Sequence, residues 1–136
     1  AFYQSCQDAG ANDLVVLTGD SHSFWQNALY DNGGRAMGVE LGTTGITSPG
    51  DFLEFGTEGA RRMDERLVSS NPEVLWTNGI SNGYLRLRVT PERLQADFVK
   101  VSNILSREYH TGMLRSVVMS HSDSGLRYEV AGQSAG

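Results

Sequence analysis

Residues 14–18 run Leu-Val-Val-Leu-Thr without alternation, the pattern of a short strand buried on both faces inside a layered α/β domain. The run stops at Gly19-Asp20-Ser21-His22. Before it, Phe2, Tyr3 and Cys6 among Gln4, Gln7 and Asp8 suit the tail of an amphipathic helix ending at Gly10. After it, Phe24, Trp25, Ala28 and Leu29 recur at helical spacing up to the turn Asp31-Asn32-Gly33-Gly34, which predicts a short helix. Residues 35–41 return to a strand that opens into Gly42-Thr43-Thr44-Gly45-Ile46-Thr47-Ser48-Pro49-Gly50, an ordered loop. Asp51 then stands where it can cap a helix with Phe52, Phe55, Ala60, Met63 and Leu67 on its dry side, ended by Asn71-Pro72.

The second half changes period. Residues 75–77 suit a short edge segment, and residues 84–90 set Tyr84, Arg86 and Arg88 against Leu85, Leu87 and Val89, a half-exposed antiparallel strand. Pro91-Glu92-Arg93 is a turn, residues 94–101 alternate again, and residues 116–119 pair with 125–130 as a last hairpin. The expectation is an α/β chain forming a single domain: a mixed sheet with helices on one face, followed by an antiparallel, β-rich C-terminal half.

Composition narrows the partners. In 136 residues, eleven Lys and Arg against sixteen Asp and Glu give a net charge of -5 and no basic run, so nucleic acid is not an expected partner. No apolar stretch has the length to cross a bilayer, so no membrane partner is expected. The single cysteine, Cys6, forms no disulfide within the chain and reads as an incidental thiol. Ala1-Phe2-Tyr3-Gln4 has neither an initiator methionine nor a leader pattern, which sets the expectation that the chain is part of something longer.

Chemistry concentrates at the end of the first strand, where ligands gather in α/β folds. Asp20 and His22 are two residues apart and offer a carboxylate and an imidazole to a cation. The same turn can also be a plain helix cap made by Asp20 or Ser21. A third reading takes Ser21 as the nucleophile of a GDSL-type serine esterase, which needs a histidine oriented by an acid. No aspartate stands three residues before any histidine here. The Gly42–Gly50 loop can present amides and hydroxyls, including those of Thr43 and Thr44, to a phosphate, although no Walker lysine follows. His110 and His121 read as exposed, Arg86 and Arg88 as a solvated sheet face, and Trp25, Trp76 and Tyr84 as core.

Four segments occur in an order that resembles one family: residues 15–25 (VVLTGDSHSFW), 39–50 (VELGTTGITSPG), the pair Asn71-Pro72, and residues 82–98 (NGYLRLRVTPERLQADF). Together they are similar to the C-terminal portion of PhoD-like alkaline phosphatases and phosphodiesterases, within the calcineurin-like metallophosphatases. The resemblance implies a sandwich fold and hydrolysis of phosphate esters at a site of two or more metal ions, iron and calcium in that family. It implies that Asp20 and His22 are metal ligands, that Ser21, Thr43 and Thr44 contact substrate, and that the protein works in the periplasm or outside the cell. Gly45 departs from the family pattern, where serine is usual.

The family's Asp-rich blocks and Asn-His pair have no counterpart in these residues, so the partner expected to complete the site is the preceding part of the same protein. The isolated chain is accordingly expected to be inactive and prone to self-association. The alternative function is a non-catalytic structural or oligomerisation domain.

Overall fold

The computed structural model describes residues 2–11, 13–122 and 125–131. Helix α1 (Phe2–Asp8) leads into β1 (Leu14–Thr18), β2 (Phe24–Tyr30) and β3 (Ala36–Gly42). A 3-10 turn (Leu53–Phe55) and helix α2 (Gly56–Ser70) precede β4 (Val74–Asn78). Then come β5 (Gly83–Val89), β6 (Arg93–Val101), β7 (Thr111–Ser122) and β8 (Gly125–Val130). The result is a mixed α/β fold with two sheets and few helices, as the sequence leads one to expect.

The first sheet has the order β1-β3-β2-β4, with β1 parallel to β3 and the other pairs antiparallel. The second is an antiparallel meander, β5-β6-β7-β8. Phe24, Val39 and Leu41 from the first sheet pack against Ala96, Phe98, Val117 and Met119 from the second, forming the core. Phe98 meets Phe24 and Trp76 edge to face, at centroid separations of 5.7 and 4.9 Å. Arg115 crosses between the sheets, its Nε donating to Gln26 Oε1 at 2.9 Å and its guanidinium lying 5.5 Å from the Trp76 ring centre.

The short helix predicted after His22 is instead strand β2. Its side chains are buried alternately, with Phe24, Gln26 and Ala28 toward the core and Trp25, Asn27 and Leu29 on the other face. A strand apolar on both faces can imitate helical spacing over six residues. Pairing on both edges, with β3 and β4, decides the matter.

β1 departs from expectation in a different way. None of its residues is fully buried, and Leu17 is 56% exposed, because β1 lies at the sheet edge with β3 as its only strand neighbour among the described residues. Gly38 lets those two strands close up: a Cβ there would come within 2.0 Å of Leu14 O, and its φ of 153° suits glycine.

Asp51 does not cap α2. The helix starts at Gly56 with Phe55 at the N-cap position and no side-chain cap. β5 keeps the expected alternation, whereas in β6 the four consecutive residues Ala96 to Val99 are buried, and β7 extends beyond the predicted residues 116–119 to span Thr111–Ser122.

Candidate functional site

Where β1 ends, the chain reverses within three residues. Ser21 N–H bonds Gly19 O at 2.9 Å across Asp20, whose φ is 71°. Asp20 is the only described non-glycine residue with positive φ. An i to i+2 bond closed over a central residue at this φ has the form of a γ-turn, a rare and strained geometry that aspartate tolerates better than most residues. Strain of this kind collects at functional sites. The turn leaves Asp20 exposed, and its carboxylate makes no hydrogen bond or ion pair among the described residues.

His22 is held from below. Its Nδ1 lies 3.0 Å from Pro49 O. A carbonyl accepts only, so Nδ1 carries the proton and donates, which leaves the Nε2 lone pair for a ligand. Thr44, 5% exposed, donates its hydroxyl to His22 O at 2.8 Å, so that hydroxyl braces the turn from beneath. Ser21 Oγ accepts from Trp25 Nε1 at 2.9 Å and donates to Asp51 Oδ2 at 2.8 Å. Ser23 donates to the same Asp51 oxygen at 3.3 Å. Asp51 therefore belongs to this turn, a role that no local sequence pattern announces. Thr43 continues the β1–β3 pairing through its N–H to Thr18 O at 3.0 Å, and its hydroxyl points along the loop toward Thr44 O.

The Gly42–Gly50 loop is fixed by contacts distant in sequence. Asn82 donates from Nδ2 to both Gly45 O and Ser48 O. Gly50 packs so closely on the β4 end that a Cβ would lie 2.1 Å from Gly79 O and 3.5 Å from His22 O. Gly79 N–H in turn donates to both oxygens of Asp64 on α2, at 3.0 and 3.1 Å. Burial raises the pKa of Asp64, and the Gly79 hydrogen bond offsets this only in part. Helix α2, the β4 end, the loop and the Asp20–His22 turn thus form one braced unit.

Beside the turn, on the face of the first sheet turned away from the core, an open depression of about 420 Å³ is lined by Thr18, Ser21, Trp25, Asn27 and Glu40. Glu40 is satisfied there by Thr18 Oγ1 at 2.7 Å and Asn27 Nδ2 at 3.2 Å. Its carboxylate repels an anion, so this depression does not suit a phosphoryl group.

A carboxylate oxygen and an imidazole nitrogen, one exposed and one oriented through its other nitrogen, fit a share of a cation site. They fit only a share: among the described residues no cluster of three or more His, Cys, Asp or Glu side chains forms that could hold a metal ion. The other histidines lie elsewhere. His110 is exposed in the β6–β7 connection, and exposed His121 pairs through Nδ1 with Asp13. Arg86 is more than the solvated charge expected of it, because it donates from Nε and Nη2 to buried Asp97 at 3.1 and 2.8 Å.

Comparison with known proteins agrees with this architecture. The family described as PhoD-like phosphatase matches residues 1–98. A curated relative, alkaline phosphatase D of Bacillus subtilis (strain 168), is 29% identical over 121 residues, covering 85% of this chain and 20% of that protein. A solved structure described as "Structure of PhoD" matches 97% of this chain and 25% of that one, with a TM-score of 0.73 at 23% identity. The chain thus spans about a fifth to a quarter of the proteins it resembles.

Proposed function

Since this chain belongs to the PhoD-like phosphatase family, we propose that within a longer protein it supplies one edge of a metal centre that hydrolyses phosphate monoesters or diesters. The observation that carries this reading is the turn itself, where exposed Asp20 stands at a strained φ beside a His22 whose Nδ1 is tied to Pro49 O. Asp20 and His22 Nε2 would hold two or more metal ions, iron and calcium by the family's habit, together with ligands from sequence outside these residues. Bound there, the ions supply positive charge against the phosphoryl oxygens and a source of hydroxide near neutral pH.

This chain's own residues bind and orient. The Pro49 carbonyl fixes the His22 ring, and Thr44, whose hydroxyl is committed to the His22 carbonyl, positions the turn. Thr43 carries the hydroxyl we assign to the phosphate oxygens, whereas Ser21, whose only proton goes to Asp51 and whose oxygen accepts from Trp25, positions the turn. Ser21 has no histidine partner among the described residues, so the geometry gives no support to a serine-esterase role. Export to the periplasm or cell exterior belongs to the same proposal and rests on the family; among the described residues no helix is long and apolar enough to cross a membrane.

The test uses the full-length protein that contains this chain. Asp20→Ala and His22→Ala are each expected to slow hydrolysis of p-nitrophenyl phosphate and bis(p-nitrophenyl) phosphate by about a hundredfold or more, the loss of several kcal/mol of charge stabilisation. Unchanged rates in both variants contradict the reading and favour a scaffold role, for which the open edge of β1 is the supporting observation.

A further inference from the structure

Against the Gly42–Gly50 loop lies a second concavity, of about 210 Å³. The loop forms one wall through Ile46 and Thr47, the start of β5 gives Tyr84, and the β6–β7 connection gives Asn103, Ile104 and Tyr109. Among the described residues no charged side chain lines it, although a fifth of the chain is charged. Its apolar walls face water: Tyr109 and Ile46 are each 56% exposed and Tyr84 is 36% exposed.

The concavity is built in advance. The connection from residue 102 to 110 is held by its own polar groups, with Ser102 N–H on His110 O, His110 N–H on Ser102 Oγ, Leu105 N–H on Asn103 Oδ1 and Glu108 N–H on Ser106 Oγ. Asn82, two residues before Tyr84, ties the opposite wall down through Gly45 O and Ser48 O. A preformed site with apolar walls, a few hydroxyl and amide groups and no charge selects a neutral organic group. An apolar cavity of about 150 Å³ holds a benzene ring, so this volume suits one ring.

Its position links it to the turn. Thr44 bonds the His22 carbonyl while Ile46 lines the concavity, and two residues of chain separate their α-carbons by no more than about 7 Å. We infer that the Tyr84–Tyr109 concavity receives an uncharged ring carried on the alcohol side of the phosphate ester, making Tyr84 and Tyr109 specificity-determining residues. As an account of ester choice this rests on the proposed function; as a ring-binding site it does not.

Two readouts on the full-length protein keep those apart. Titration with benzyl alcohol, followed by NMR, is expected to show saturable shifts at Ile46, Tyr84, Ile104 and Tyr109, with binding weakened about three- to tenfold in Tyr109→Ala and retained in Tyr109→Phe. In steady-state hydrolysis, the ratio of kcat/KM for benzyl phosphate to that for ethyl phosphate is expected to fall by the same factor in Tyr109→Ala. Shifts confined to other residues, or equal binding by wild type and Tyr109→Ala, overturn the site. Ring binding with an unchanged ratio overturns its role in ester choice. If neither these monoesters nor bis(p-nitrophenyl) phosphate is hydrolysed, the proposed function fails while the titration still decides on the site.

Discussion

At the scale of single residues, the turn and the second sheet depend on polar groups whose partners are fixed. Asp97 is 5% exposed on β6 and accepts from Ser116, Gln95 and Arg86. Burial pushes its pKa up, but the Ser116, Gln95 and Arg86 hydrogen bonds together outweigh it and hold the carboxyl below its ordinary 3.8. A lowered folded-state pKa means that the stabilisation is complete above the unfolded value and is lost as pH falls from about 3.8 through the lower folded value. Asp97→Ala, which leaves the Ser116 hydroxyl and the Arg86 guanidinium without their acceptor, is expected to cost about 2 kcal/mol at pH 7 and progressively less as the pH is lowered from about 3.8 through the folded-state value, measured by urea unfolding. A cost that stays constant down to the acid limit of folding contradicts this. Asp20 and His22 were legible as candidates because both lie at the end of an apolar strand. The γ-turn at Asp20 and the Pro49 contact that orients His22 were not, since both depend on how a distant loop packs.

At the scale of elements, alternation identifies β5, where Leu85 and Leu87 pack on the core and Tyr84, Arg86 and Arg88 stay wet, but not the burial of β6, where Ala96, Asp97, Phe98 and Val99 are all covered. Alternation also fails in β2, a central strand whose second face carries Trp25 and Leu29 and so mimics a helix. Asp51 misleads for a related reason. An aspartate before a helical pattern looks like a cap, yet Ser21 and Ser23, about thirty residues earlier, are what it binds. Asn82 shows no local signature either, but it clamps the Gly42–Gly50 loop. Asn82→Ala leaves Gly45 O and Ser48 O without that donor and is expected to destabilise the fold by about 1–3 kcal/mol. Hydrogen exchange should quicken at residues 43–48 before it does in β6. Uniform acceleration across both would show that the clamp acts on the whole fold and not on the loop.

At the scale of the molecule, the continuous apolar run of β1 is written for burial that these residues do not provide. Its outer edge is unpaired among the described residues, and Leu17 stands 56% exposed. Exposed apolar edges invite pairing with other chains. The 136-residue chain by itself is therefore expected to self-associate in sedimentation experiments and to show no phosphatase activity, whereas a monodisperse, active monomer contradicts the proposal that the site is shared. The two-sheet architecture was readable from hydrophobic period and turn chemistry. That the proposed site is shared with other sequence was readable only as a shortage of ligands, and among the described residues no cluster of three or more His, Cys, Asp or Glu side chains gathers to hold a metal ion. Metal binding by Asp20 and His22 is read directly from the metal content of the purified full-length protein by elemental analysis, for wild type and His22→Ala side by side. Two or more ions per chain are expected in the wild type and a clear loss in the variant; identical metal content in both, or no metal in either, contradicts metal binding at this turn.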